Sequence, residues 1–179
     1  MGKKKKDQLR WLTRDPPGFD ALYEAHNEIH LGSDRAAAIL VAAALEPYLE
    51  TLILVHLPNR DVDIALTENG GPLATFSNKI YLAYAMGLID EITRTDLNII
   101  RNIRNVFAHA MGHVSFANPE IQQECNKLKT DAVYKKPYLG SDQSAPPDRQ
   151  RYLAVGKHIE HELIWKAHKT LRKATEEID

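Results

Sequence analysis

With a single cysteine, Cys125, in 179 residues, the chain can form no internal disulfide. It is also a poor zinc protein, since neither a second thiol nor clustered histidines stand near that thiol. A reducing cytoplasm suits such a chain best. Charge of one sign is missing too: 23 Lys and Arg against 24 Asp and Glu leave a formal net charge of −1, without the basic excess that general nucleic-acid binding draws on. Any contact with RNA or DNA must therefore be local. No glycine-rich phosphate loop or serine-nucleophile motif occurs. No segment alternates apolar and polar residues for long and no solenoid period is visible, so strands and repeats are not expected. The longest apolar run, Ala36 to Leu45, is about half the length a bilayer crossing needs and ends at Glu46 and Pro47. It reads as a buried helix, and no membrane association is expected. Lys3 to Lys6 form a cationic start, but Asp7, Gln8, Leu9, Arg10 and Trp11 supply no apolar signal core, so secretion is not expected.

What is present is helical patterning. A hydrophobic content of 44% suffices for one core. Residues 1–17 read as a disordered basic tail and 18–179 as one all-α domain, a bundle of about five to six helices ending in a long one. After the Pro16-Pro17-Gly18 breaker, Phe19 to about His30 suits a first helix. Ser33 or Asp34 can cap a second, which runs through the alanine-rich stretch toward Leu57, with Pro47 expected to kink or split it. Thr75 or Ser77 can cap a third, carrying Ile80, Tyr81, Tyr84 and Leu88 at core spacing and ending at Gly87. A fourth, from about Thr95 to Ala110, places Ile99, Ile100, Ile103, Val106, Phe107 and Ala110 on one face. A short helix follows Pro119. An irregular connector through Pro137 and Gly140 leads to a last helix striped with Tyr152, Val155, Ile159, Leu163, Ala167, Leu171, Ala174 and Ile178.

The fourth helix also holds the best functional clue. Arg104, Asn105 and His109 stand where a packing helix needs none of them; guanidinium grips phosphate or carboxylate, imidazole moves protons near neutral pH, and an amide orients either. Asn98, Asn102, Asn105 and His109 fall on one flank. Arg101 lies outward, beside Asn102; these two and Glu46 are the binding candidates. Arg104 lies about 140° round the helix from His109, so a straight single helix keeps them apart, and a homodimer is the expected way to bring them together. Glu46 or Glu50, set in the apolar second helix, needs a cation and is the natural partner of Arg104, as in a Glu46–Arg104 bridge. His109 and His113 have metal-ligand spacing without a third ligand, so neither metal nor cofactor is expected. His158, His161, Trp165, His168 and Arg172 read as a solvent- or partner-facing stripe.

Arg104-Asn105-Val106-Phe107-Ala108-His109 resembles the Arg-polar-x-x-x-His signature of the HEPN superfamily of helical domains. Gly71-Pro72-Leu73 through Phe76-Ser77-Asn78-Lys79-Ile80, then Ala83 to Ile89, is similar to the mannitol operon repressor family, and the likeness extends over roughly Ser33 to His113. The latter resemblance implies a bacterial helical protein that influences transcription of a sugar-alcohol operon without a helix-turn-helix. No short turn here joins two helices of which the second is densely basic, so repression through a regulatory protein partner is expected. The ribonuclease branch of the HEPN superfamily implies an alternative, metal-independent RNA cleavage. His109 would then be the general acid or base, Arg104 the stabiliser of charge on phosphorus, and Asn105 the orienting group. Met111 departs from that branch, many members of which carry tyrosine there.

Overall fold

The computed structural model describes residues 29, 31–59, 63–68, 70–130 and 146–176. Capping side chains mark where its helices begin. Ser33 Oγ accepts from Ala36 N at 3.2 Å and opens α1, Asp34–Leu54. After the single-turn α2, Asp63–Thr67, Thr75 Oγ1 accepts from Asn78 N at 3.2 Å and opens α3, Phe76–Ala85. Asp90 Oδ1 accepts from Thr93 N at 2.8 Å and opens α4, Glu91–His109; that backbone hydrogen bond holds the Asp90 carboxyl below its ordinary pKa. α5 is Pro119–Cys125 and α6 is the long final helix, Pro147–Glu176. Among the described residues all regular structure is helical, in six helices, as the patterning implies. The expected tail at 1–17 and most of the expected first helix and connector lie outside the described residues.

Several details differ from expectation, each for a local reason. Pro47 does not split α1. Pro47 and Ala43, whose carbonyl loses its helical donor to the proline, are both exposed, so the missing bond lies on the solvent side of α1. α4 starts four residues before Thr95, because Asp90 supplies a cap that the apolar spacing alone does not reveal. Val106 is 47% exposed and not part of the α4 core face, which consists of Leu97, Ile99, Ile100, Ile103 and Phe107. Tyr81 and Tyr84 are exposed as well, at 53% and 40%. The buried face of α3 runs through Phe76, Lys79, Ile80 and Ala83, which rotates both rings outward. Leu171 is exposed where α6 outruns the core. The end of α3 is as expected: Gly87, at φ +70°, donates to Tyr84 O, and Leu88 donates to Ala83 O, a pairing of turn bonds that needs the left-handed backbone glycine provides.

α1 packs against α3, α4 and α6 at once. Its 21 residues are long and apolar enough by composition to cross a bilayer, more than the short run Ala36 to Leu45 suggests, yet here they build a core. Ala37, Ala38 and Ala42 are almost fully buried, and these small side chains let α6 come close. At the crossing a Cβ on Gly156 would stand 2.5 Å from Val41 Cγ1. One turn earlier Tyr152, fully buried, donates from its hydroxyl to Ala38 O at 2.9 Å, and its ring starts a chain to Phe116 and Phe107 with centroids 5.2 and 5.1 Å apart.

Gly156→Ala is therefore expected to destabilise in spite of the better helix propensity of alanine. Relief of helical glycine is worth about 1 kcal/mol, whereas overpacking against a stiff β-branched side chain costs about 1–3 kcal/mol. Thermal melts should show a drop of a few degrees, roughly 2–4 °C per kcal/mol at this size, and Val41→Ala in the Gly156→Ala background should recover part of it. Additive losses in the double variant would contradict the contact.

Candidate functional site

α4 is the element that carries the candidate residues, and its two ends are held firmly. At its C-terminus Arg35, from α1, donates from Nη2 to the carbonyls of Ala110 at 2.9 Å and Gly112 at 3.1 Å, pinning the chain as it leaves the helix. Asp34 accepts from Phe116 N at 2.9 Å and pairs with the buried Arg149 Nε at 3.2 Å, while Arg149 Nη2 also donates to Ile29 O and Gly32 O. Near the other end the fully buried Asp96 carboxylate accepts from Lys129 N and Thr130 N, tying the segment after α5 back to α4. These three anchors escaped the sequence reading, because a charged residue near a helix end looks like a cap or a solvated group until its distant partner is known.

Between the anchors, the candidate residues separate. His109 is exposed at the last position of α4, and Arg104 and Asn105 are half-buried. No hydrogen bond or ion pair among the described residues joins Arg104, Asn105 and His109, so a single chain does not assemble them. Burial pushes the pKa of the Tyr152 phenol far up, and the Arg104 charge opposes that shift. Arg101 leans over α3 instead of lying outward, donating to Ser77 Oγ and, at 3.3 Å, to Asn102 Oδ1. Asn102 itself is exposed.

The expected Glu46–Arg104 bridge does not form. Lys79, from the buried face of α3, takes its place: Nζ lies 2.8 Å from Glu46 Oε1 and 2.8 Å from Glu50 Oε2. Glu46 thus serves the α1–α3 contact, and Lys79 falls beside, not within, the apolar spacing of its helix, which hides it from a sequence reading. Burial alone would lower the Lys79 pKa, but hydrogen bonds and charge from both glutamates outweigh it and the pKa stands above its ordinary 10.5. The cation's stabilising effect is thus complete below that pH and is lost only as pH rises through the folded value.

Aromatic and charged side chains share the exposed edge of α4 and the adjoining face of α3. Tyr84 carries the Arg94 guanidinium over its ring, 4.6 Å from the centroid, and Tyr81 stands free one turn away. Most of the stripe on the last helix is on the surface as expected: Trp165 is 60% exposed, with Lys169 Nζ over its ring at 4.9 Å, and His161, His168 and Arg172 are exposed, whereas His158 is half-buried beside Glu162. No group of three potential metal ligands occurs among the described residues. Cys125 is buried, and burial pushes its thiol up to about 12, so it is protonated at neutral pH and inert as a nucleophile.

Lys79→Met removes the only charge between two half-buried carboxylates. At pH 7 it is expected to lower stability by about 2 kcal/mol, below the full penalty of a broken buried pair because both glutamates keep some solvent. Glu46→Gln and Glu50→Gln added to Lys79→Met remove the two charges left facing each other and should recover part of that loss in thermal melts. A loss unchanged by them would contradict the pairing.

A family model described as Mannitol repressor matches residues 62–171, more than half of the chain. No curated protein matches. Among solved structures, the X-ray structure of the MtlR–HPr complex from Escherichia coli is similar, with a TM-score of 0.54 and 21% sequence identity, covering 83% of this chain and 96% of that one.

Proposed function

Because the chain belongs to the mannitol repressor family, we propose that it is a non-enzymatic cytoplasmic regulator that acts in transcriptional repression through a protein partner. The observation that carries this reading is the family match, joined to a similar fold crystallised together with HPr. A partner of the HPr kind is accordingly the one assigned to this chain. The packing supports an indirect route. α4, which bears three arginines, touches α1, α3, α5 and α6 and offers only one edge to solvent, whereas a DNA-reading helix must project into a groove roughly 12 Å wide. A homodimer is part of the proposal, with the exposed Val106 and Met111 beside His109 as its apolar contacts.

Titration calorimetry with HPr from the same cell should give saturable binding with a dissociation constant on the order of 1 μM. Operator DNA should not shift with the protein alone at physiological salt. Sequence-specific retardation of that DNA together with silence toward HPr would overturn the assignment.

A second reading, metal-independent RNA cleavage in a dimeric cleft, draws on one observation: His109 is exposed with no hydrogen bond, and Arg104 has no carboxylate partner among the described residues. In that reading His109 transfers the proton of the attacking ribose hydroxyl, Arg104 neutralises charge on phosphorus and Asn105 orients them. Structured and single-stranded RNA incubated in chelator should then be cut by the wild type and cut at least 100-fold more slowly by His109→Ala, in line with the usual contribution of a general acid or base. Equal traces in both proteins would eliminate cleavage.

A further inference from the structure

α6 turns one long face to solvent. His161, Trp165, His168, Lys169 and Arg172 are all exposed there and fall within about 100° of helical arc, a strip roughly 17 Å long over the rise from 161 to 172. On the opposite side Ile159, Leu163 and Ala167 are buried, and Lys166 Nζ donates to Leu88 O at 3.0 Å, so the strip is held in place before any partner arrives. Acids are absent from it. From Lys157 to Arg172 the helix has four Lys and Arg against two Glu, and both carboxylates are taken up at the borders: Glu160 Oε2 lies 2.8 Å from Lys157 Nζ, and Glu162 Oε1 lies 2.7 Å from Lys166 Nζ. At the centre of the strip Trp165 is 60% exposed, with the Lys169 ammonium 4.9 Å from its ring centroid.

A merely solvated helix face needs no indole, and tryptophan is among the residue types in which protein interfaces concentrate their binding energy. A group that covers the open part of the ring takes apolar surface out of water. The ammonium beside the ring asks that group for negative charge, because a carboxylate meeting a cation at the edge of an apolar contact gains strength as water leaves. We propose that this strip of α6 is a docking surface for an acidic protein segment, which packs an aromatic or aliphatic side chain against Trp165 and sets a carboxylate against Lys169. The inference rests on the reading that the chain works through a protein partner, and it states the chemistry of such a partner. Nucleic acid fits less well, since single strands are held by several stacked bases along a track of cations, and the strip has a single indole with Lys169 and Arg172 as its only fixed charges.

The test selects a displayed library of random twelve-residue peptides on the immobilised full-length chain, then titrates the enriched peptides in solution. The expected peptides carry Asp or Glu within one helical turn of an aromatic or aliphatic residue. Their Kd should weaken by at least about tenfold with Trp165→Ala and with Lys169→Glu, the scale of an interface anchor. It should not change with Lys127→Ala plus Lys129→Ala, an exposed lysine pair elsewhere on the surface. A peptide whose acid is replaced by Lys should bind Lys169→Glu better than it binds the wild type. Circular dichroism melts check that each variant folds, and both strip residues are exposed enough to change without loss of the core. Enriched peptides without acids, binding that ignores Trp165→Ala, or tighter retention of single-stranded RNA than of any peptide on the same two side chains overturns the proposal. HPr titrations on the same proteins separate the two readings. HPr bound by the wild type, with no peptide dependent on Trp165 and Lys169, leaves the partner reading standing and removes the surface. Acidic peptides dependent on both, from a chain silent toward HPr, do the reverse.

Discussion

The close approach of α1 and α6 is the constraint from which the rest of the architecture follows. Alanines at 37, 38 and 42 and the bare Gly156 opposite Val41 let two backbones lie nearer than larger side chains permit. Only at that separation does the Tyr152 hydroxyl reach the carbonyl of Ala38 across the interface. A buried phenol must find an acceptor or incur the cost of a lost hydrogen bond, so this contact selects one register between the helices. The ring then orders Phe116 and Phe107, which brings α4 into the same core.

Placement of α4 controls the surface. Its apolar face is committed to the core, its start is set by Asp90, and its end is gripped by Arg35 on α1. The charged ties Asp34–Arg149 and Lys79 with Glu46 and Glu50 join α1 to α6 and α1 to α3 in side-chain settings shielded enough that an unmatched charge would be expensive. They specify which helices meet more than they add stability. The polar edge left over, Arg94, Asn98, Arg101, Asn102, Asn105 and His109, is thereby presented along a rigid support.

Much of this was legible in the residues. Thr75 as a cap, Gly87 as a stop and the Ile100, Ile103, Phe107 stripe are local signals, because capping bonds and helical periodicity operate within one or two turns. The polar character of the α4 edge was legible for the same reason. Tyr81 and Tyr84 were misread as core because helical spacing shows that residues share a face without showing which face a neighbour will cover. Glu46 was assigned to Arg104 on chemistry alone: the need for a cation was correct, but Lys79 answered it from another helix.

What the sequence by itself determined is the all-helical class, the position of most helix ends and the need of buried carboxylates for partners, since each depends on bonds or desolvation costs within a few residues. The tertiary structure alone decided which cation meets which carboxylate and that both tyrosines face solvent. Those outcomes depend on the relative rotation of separate helices, which is set by how small side chains at the α1–α6 crossing allow the helices to close.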